Sequence, residues 1–309
     1  MTITSTGTFD GGSEASVATV NITIDGQPVE LDAGQTILDG CRSAGVDTPT
    51  LCYADNLTPV NVCRVCVVEV EGNRTLVPSC SRPAEEGMVV HTDSERVRHS
   101  RKMVLEFLGS GVDVSQARDI AHDTDLAQWS AHYGADPSRY GDDVKKMDVP
   151  FKREDDLYVR DYDKCVLCYK CVEACGDDAQ HTFAIAVSGR GFDARISTEY
   201  DAPLPESACV YCGNCVAMCP TGALQFTTEF DLRTAGEWRP DDQHVSRTVC
   251  SYCGVGCNLE LHVQDNTIVK VTSPSDHSVT SGHLCVKGRF GWQYVQPRGE
   301  HASGDHLLG

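Results

Sequence analysis

Apolar and polar positions alternate from residue 17 to Ile24, pause at Asp25-Gly26, and resume through Val29-Glu30-Leu31. Alternation on both sides of an Asp-Gly pair predicts a β-hairpin with one buried face. Residues 36–44 predict a short helix ended by Gly45. From Cys63 to Val70 the chain is rich in valine, and Glu71-Gly72-Asn73 turns it into Thr75-Leu76-Val77, a second predicted hairpin. Four strands and one helix in this stretch fit a small β-grasp-like domain, although the pattern leaves its topology open.

Thr92 and Glu95 have the spacing of a capping box, which predicts a helix from about Thr92. Val97, Val104, Leu105 and Leu108 share one face of that helix, and Gly109-Ser110-Gly111 ends it. Residues 113–150 read as a polar, mainly helical connector. The string Cys-Val-x-Cys-x-x-Cys-Val-x-x-Cys then occurs twice, from Cys165 and from Cys209. Residues 231–245 are polar, carry Pro240-Asp241-Asp242, and read as a linker. The expected organisation is modular and α+β. It comprises a tail (1–16), a β-grasp domain (17–91), a helical connector (92–155), a two-block domain (156–230), a linker (231–245) and a last small domain with its tail (246–309).

Cysteine usage changes the picture most. The 309 residues hold 17 cysteines. Sixteen fall into four sets: Cys52/Cys63/Cys66/Cys80, Cys165/Cys168/Cys171/Cys175, Cys209/Cys212/Cys215/Cys219 and Cys250/Cys253/Cys257/Cys285. Cys41 is left over, and its helical position reads as a buried, inert thiol. Disulfides need an oxidising compartment. The polar N-terminal stretch has no charged and apolar signal pattern, and no apolar run is long enough for a transmembrane helix. These features predict a cytoplasmic protein without a membrane span, in which grouped cysteines are metal ligands. The net charge of −19 argues against a nucleic-acid partner, which asks for a basic footprint.

The second and third sets have the spacing of a two-cluster ferredoxin. Three closely spaced thiolates wrap one cubane, and the fourth, expected to open a helix pointing away, ligates the other cluster. One [4Fe–4S] cluster is therefore expected on Cys165, Cys168, Cys171 and Cys219. A second is expected on Cys209, Cys212, Cys215 and Cys175. Gly176 stands where a proline would follow Cys175. The Cys52 set has x10, x2 and x13 spacing, a variant of the plant-type pattern. Beside a twin ferredoxin it reads as a [2Fe–2S] site, with zinc as the alternative. In the Cys250 set, Gly254 and Gly256 allow a tight wrap around a metal centre. This set reads as a third [4Fe–4S] site, again with zinc as the alternative. No nucleotide-binding glycine motif and no nucleophile-and-base arrangement is evident.

The four sets in this order resemble the N-terminal iron–sulfur region of the α subunit of NAD-dependent molybdenum or tungsten formate dehydrogenases. The strings that carry the resemblance are Gln35-Thr-Ile-Leu-Asp-Gly-Cys41 with Thr50-Leu-Cys52-Tyr53, Arg160-Asp-Tyr-Asp-Lys-Cys165, and Cys219-Pro-Thr-Gly-Ala-Leu224. Val249-Cys-Ser-Tyr-Cys-Gly-Val-Gly-Cys257 and Leu284-Cys-Val-Lys-Gly-Arg-Phe290 resemble the cluster domain that opens molybdopterin oxidoreductases. By this resemblance Lys287 matches the lysine between that cluster and the pterin. Relatives often carry a further cluster held by one histidine and three cysteines; here residues 105–116 lack cysteine and His99 stands alone. The α subunit of that family also continues for several hundred residues that bind pterin and substrate, whereas this sequence ends at Gly309.

The resemblance implies an electron-transfer subunit between a flavin- and NAD-binding subunit and a molybdopterin catalytic subunit. The alternative is the diaphorase-side iron–sulfur subunit of an NAD-reducing or electron-bifurcating [NiFe] hydrogenase. A respiratory complex I fragment is a further reading, and a zinc-stapled interaction protein is the reading from a different class.

Overall fold

The computed structural model describes residues 18–112, 124–141, 144–146 and 148–296. The expected tail 1–16 and residues 113–123 of the connector lie outside them. Strands β1 (Thr19–Ile24) and β2 (Gln27–Asp32) form the first predicted hairpin. Asp25 and Gly26 both take positive φ, at 47° and 84°, which matches the twist of the flanking strands. Helix α1 (Ile37–Ser43) begins with a capping box between Thr36 and Asp39. It crosses the sheet at Gly40, where a Cβ would lie 3.0 Å from the Cδ1 atoms of Ile22 and Ile24.

Strands β3 (Val67–Val70) and β4 (Val77–Pro78) pair antiparallel, as the valine-rich pattern predicts. A fifth strand, β5 (Val89–His91), escapes a reading based on alternation because only three residues of it pair. It is nonetheless central: it runs parallel to β1 and antiparallel to β3 in the order β2-β1-β5-β3-β4. The core beneath is Ile22, Ile24, Leu31, Ile37, Cys41, Val68 and Val90, so Cys41 sits in it as expected.

Helix α2 spans Glu95–Ser110 and is capped by Ser94, whose Oγ accepts from Val97 N–H. The expected capping box at Thr92 does not form. Thr92 instead donates from its N–H and its hydroxyl to Asp25 across the β1–β2 turn, a bond more rewarding than a cap because Thr92 is buried. Helix α3 (Asp125–Tyr133) and a 3₁₀ turn at Pro137–Tyr140 pack along α2. Residues 105–112, expected to lack a histidine-and-cysteine cluster, carry a buried carboxylate. Glu106 is 1% exposed at its side chain and pairs with Arg139 at 2.7 Å, and Arg139 also donates to Met103 Sδ.

The two-block domain is built on an antiparallel pair, β6 (Tyr158–Arg160) with β9 (Leu224–Phe226). Between them lie helix α4 (Lys170–Cys175), hairpin β7 (Ala186–Ser188) and β8 (Arg195–Ser197), and helix α5 (Asn214–Ala217). Helix α6 (Thr227–Thr234) runs on into the stretch read as a linker. The last unit is a three-stranded antiparallel sheet, β10 (His244–Val249), β11 (Asn258–Gln264) and β12 (Thr267–Thr272), closed by helix α7 (Val286–Phe290).

Candidate metal centres

The four cysteines of the first set come together as two pairs. Cys66 and Cys80 lie Sγ to Sγ at 3.3 Å, and Cys63 N–H donates to Cys52 Sγ at 3.5 Å. Two thiols this close cannot both ionise without a cation between them. Within each pair one proton is therefore shared: the partner thiol holds Cys52 down at about 5 and Cys66 at about 7, while Cys63 and Cys80 are pushed up. Cys80 also feels Cys52 and Cys63, so all four belong to one site. The loop that presents them is fixed from outside by Arg101. Its buried guanidinium donates to Val67 O at 2.9 and 3.2 Å, next to Cys66, and to Tyr133 Oη at 2.7 Å.

The two copies of the repeat have the same local geometry. Residues two and four after the first cysteine take positive φ in each: Leu167 and Tyr169 in one, Tyr211 and Gly213 in the other. Left-handed backbone at non-glycine residues costs about 1–3 kcal/mol each. It turns Leu167 N–H and Tyr211 N–H toward Cys165 Sγ and Cys209 Sγ, both at 3.4 Å. The third cysteines, Cys171 and Cys215, lie in the first turns of α4 and α5. Cys175 closes α4, and Cys219 follows the end of α5. The fourth cysteine therefore ends a helix rather than opening one, a correction to the spacing argument. The short helix carries it away from its own loop. Each fourth thiol meets a threonine hydroxyl, Thr182 for Cys175 and Thr221 for Cys219.

The first three thiols of each block lie within electrostatic reach of the other block's fourth cysteine. Cys165, Cys168 and Cys171 all feel the charge of Cys219, and Cys209, Cys212 and Cys215 feel that of Cys175. Burial pushes these thiols up, Cys165 to about 12 and Cys168 to about 11. As thiolates they call for cationic iron. A cavity lined by Cys175, Cys209, Cys212 and Cys215 is closed by Tyr158, Tyr162, Ile185 and Leu204. Among the described residues, Tyr158 Oη is buried there without a hydrogen-bond partner; its proton is held first by burial and then by Cys215, Cys212 and Cys209. A buried hydroxyl without a partner is costly, and a cluster sulfur in the cavity would accept from it.

In the last set, burial first and then Cys250, Cys285 and Cys253 raise the Cys257 thiol. Cys250 N–H donates to Cys257 O at 2.8 Å, and Gly256 turns the loop at φ 73°. Lys287 is exposed on α7 beside Cys285 and lines a cavity with Cys250, Tyr252 and Trp292. Among the described residues, no three His, Cys, Asp or Glu side chains converge as ligands of a single metal ion would. Ligands of a cluster need not, since no iron takes more than two of the four terminal thiolates.

The sites abut in chain order. Cys52 and Cys168 share one apolar cluster, and Cys171 feels Cys215. Asn214, two residues after Cys212, accepts from Leu284 N–H at 3.0 Å, next to Cys285. The Cys52 loop also touches both other units: Thr58 donates to Asp178, and Asn56 donates to Ser281 O at 2.7 Å. Sequence patterns do not single out Arg101, Tyr158, Asn214 or Arg289. Arg289 lies inside a string that carries the resemblance, where Lys287 is the more conspicuous cation, and Asn214 falls on an unspecified position of the second cysteine string. Arg289 is 1% exposed and donates to Cys212 O at 3.4 Å, Val271 O at 3.2 Å and Asn214 Oδ1 at 2.9 Å. Burial pulls its pKa down to about 10, against the opposing pull of Cys212, Tyr158 and Cys215, so it stays charged near neutrality.

Fold and cysteine groups together define a modular α+β iron–sulfur protein. Residues 17–95 match the model of a 2Fe-2S iron-sulfur cluster binding domain, and residues 156–225 that of the ferredoxin-like domain of NADH-quinone oxidoreductase subunit 3. Residues 243–297 match the molybdopterin oxidoreductase Fe4S4 domain. The alpha subunit of an NADPH-Fe(3+) oxidoreductase of Geobacter sulfurreducens is 34% identical over 278 residues, 89% of this chain and 31% of its own length. A putative formate dehydrogenase of Staphylococcus haemolyticus is 26% identical over 310 aligned positions, 89% of this chain and 31% of its own. A chain of an NAD+-reducing [NiFe]-hydrogenase, solved in the H2-reduced state, superposes with a TM-score of 0.60 at 26% identity, over 68% of this chain and 88% of that one. The chain spans about a third of the length of the curated relatives it matches. No helix among the described residues is long and apolar enough to cross a membrane.

Proposed function

We propose that the chain carries one [2Fe–2S] and three [4Fe–4S] clusters on the four cysteine groups, with Cys175 and Cys219 exchanged. In this reading it relays electrons in a cytoplasmic, NAD-linked formate dehydrogenase. Its partners there are a flavin- and NAD-binding subunit and a molybdopterin catalytic subunit holding molybdenum or tungsten. The observation that carries the formate dehydrogenase reading is the last domain. It matches a molybdopterin oxidoreductase model, and it keeps Lys287 exposed beside Cys285, at the face a pterin would approach.

Bound clusters supply one-electron uptake and release. The chain's own residues supply the rest. Burial excludes water from Cys52, Cys63, Cys66, Cys80, Cys168, Cys171, Cys175 and Cys212. Backbone N–H groups of Leu167 and Tyr211 and the hydroxyls of Thr182 and Thr221 aim at ligand sulfurs. Such hydrogen bonds stabilise negative charge on the sulfur and tune potentials.

The likeness to the NAD+-reducing [NiFe]-hydrogenase chain favours a second reading, the diaphorase-side subunit of such an enzyme. Composition and activity of the native complex separate the two. Formate-dependent NAD reduction with a co-purifying pterin supports the first reading. Nickel with hydrogen-dependent NAD reduction and no pterin overturns it in favour of the second.

A further inference from the structure

Arg289 heads the fully buried side chains by volume. It belongs to α7 of the last domain, yet its guanidinium is spent on the second ferredoxin block, at Cys212 O and Asn214 Oδ1. The close approach is built in. Gly213, at φ 73°, leaves room that a Cβ would fill, 3.0 Å from Arg289 Cγ and 3.2 Å from Phe226 and Phe290. All three acceptors of Arg289 are neutral oxygens. Among the described residues the titratable groups that act on it are Cys212, Tyr158 and Cys215, with no carboxylate among them.

A buried guanidinium held only by neutral acceptors carries a large desolvation penalty. Buried charges are ordinarily paired, as Arg160 is with Glu154, Lys164 with Asp161 and Arg233 with Glu229; Arg101, which donates to Val67 O beside Cys66 and to Tyr133 Oη, shares with Arg289 a set of neutral acceptors next to a cysteine group. A cluster held by the four thiolates of Cys175, Cys209, Cys212 and Cys215 would be a net anion and would supply that counter-charge.

We propose that Arg289 is the internal counter-ion of the cluster on Cys175, Cys209, Cys212 and Cys215, lent across the domain boundary, and that it raises that cluster's reduction potential. This rests on the reading of those four cysteines as ligands. Reduction adds one negative charge to the cluster, and a fixed cation in a low-dielectric interior favours the more negative state. The same contact fastens the last domain to the ferredoxin blocks, so Arg289 joins cluster potential to domain docking.

The test compares Arg289→Lys, which keeps the charge, with Arg289→Gln, which keeps donors but loses it. Each is purified in its native complex and read by iron content and by EPR during redox titration. The cubane in question is assigned through its change in Cys209→Ser. The proposal expects its midpoint to shift negative in Arg289→Gln, to stay near wild type in Arg289→Lys, and the other cubanes to be unmoved. Loss of that one cubane in Arg289→Gln with retention in Arg289→Lys supports the same role. An unshifted midpoint in Arg289→Gln overturns the proposal, as does equal shift or loss in both variants, which would mark a packing role. A wild-type protein short of four irons, with that EPR signal missing, instead removes the ligand reading and the counter-ion with it.

Discussion

Cys52 and Cys168 belong to different domains and different cysteine groups, yet they are buried in one apolar cluster with Leu51, Cys63, Val65 and Leu105. The charge of Cys52 is felt at the Cys168 thiol. Helix α2 and the loop before β3 supply the surrounding side chains, so the packing that closes the β-grasp domain also brings the two metal sites together. Cubane reduction is therefore expected to speed the relaxation of the [2Fe–2S] EPR signal. Power saturation of that signal, with the neighbouring cubane oxidised and then reduced, checks this. Identical saturation in both states would contradict the contact.

The proposed exchange of the fourth cysteines predicts a long-range effect. Cys219→Ser is expected to damage the cluster of Cys165, Cys168 and Cys171, and to leave that of Cys209, Cys212 and Cys215 in place. Iron content and EPR of the variant report which cubane is lost. Loss confined to the Cys209 block would contradict the crossed arrangement.

Tyr158 places a hydroxyl with no partner among the described residues in the wall of the cavity lined by Cys175, Cys209, Cys212 and Cys215, the proposed second cubane site. Tyr158→Phe is expected to leave stability unchanged or slightly raised, because no protein hydrogen bond is lost. The midpoint of that cubane is expected to fall, because a donor to the cluster is removed. Redox titration beside thermal unfolding separates the two effects. An unmoved midpoint would mean that the hydroxyl serves only packing.

Glu106 ties α2 to the 137–140 turn through Arg139 and accepts from Asp136 N–H at 3.3 Å. Glu106→Ala is expected to cost about 2 kcal/mol, the scale of a lost charge-assisted hydrogen bond. The midpoint of denaturant unfolding measures it, and an unchanged midpoint would show that the pair contributes nothing.

What is legible in the sequence is what short spacing encodes. The Asp25-Gly26 turn fixes a hairpin, and the doubled cysteine string foretells two tight loops of matching form. What is not legible depends on contacts between distant segments. β5 pairs over too few residues to show alternation, although it is the centre of its sheet. Thr92 looks like a cap locally, but Asp25, far back in the chain, captures it. Spacing alone does not say which side of a cysteine is helical, so it misplaces Cys175 at the start of a helix that Cys175 in fact ends. Arg289 is indistinguishable from a surface cation until α7 folds against Asn214.

Four cluster sites arranged as one contiguous relay are the central claim. Iron and acid-labile sulfide counted per chain, on protein purified without oxygen, test it most directly. The expected result is about 14 irons and as many sulfides, from one two-iron and three four-iron clusters. A count near 10 would remove a cubane, and a colourless protein holding zinc in place of iron would contradict the relay as a whole.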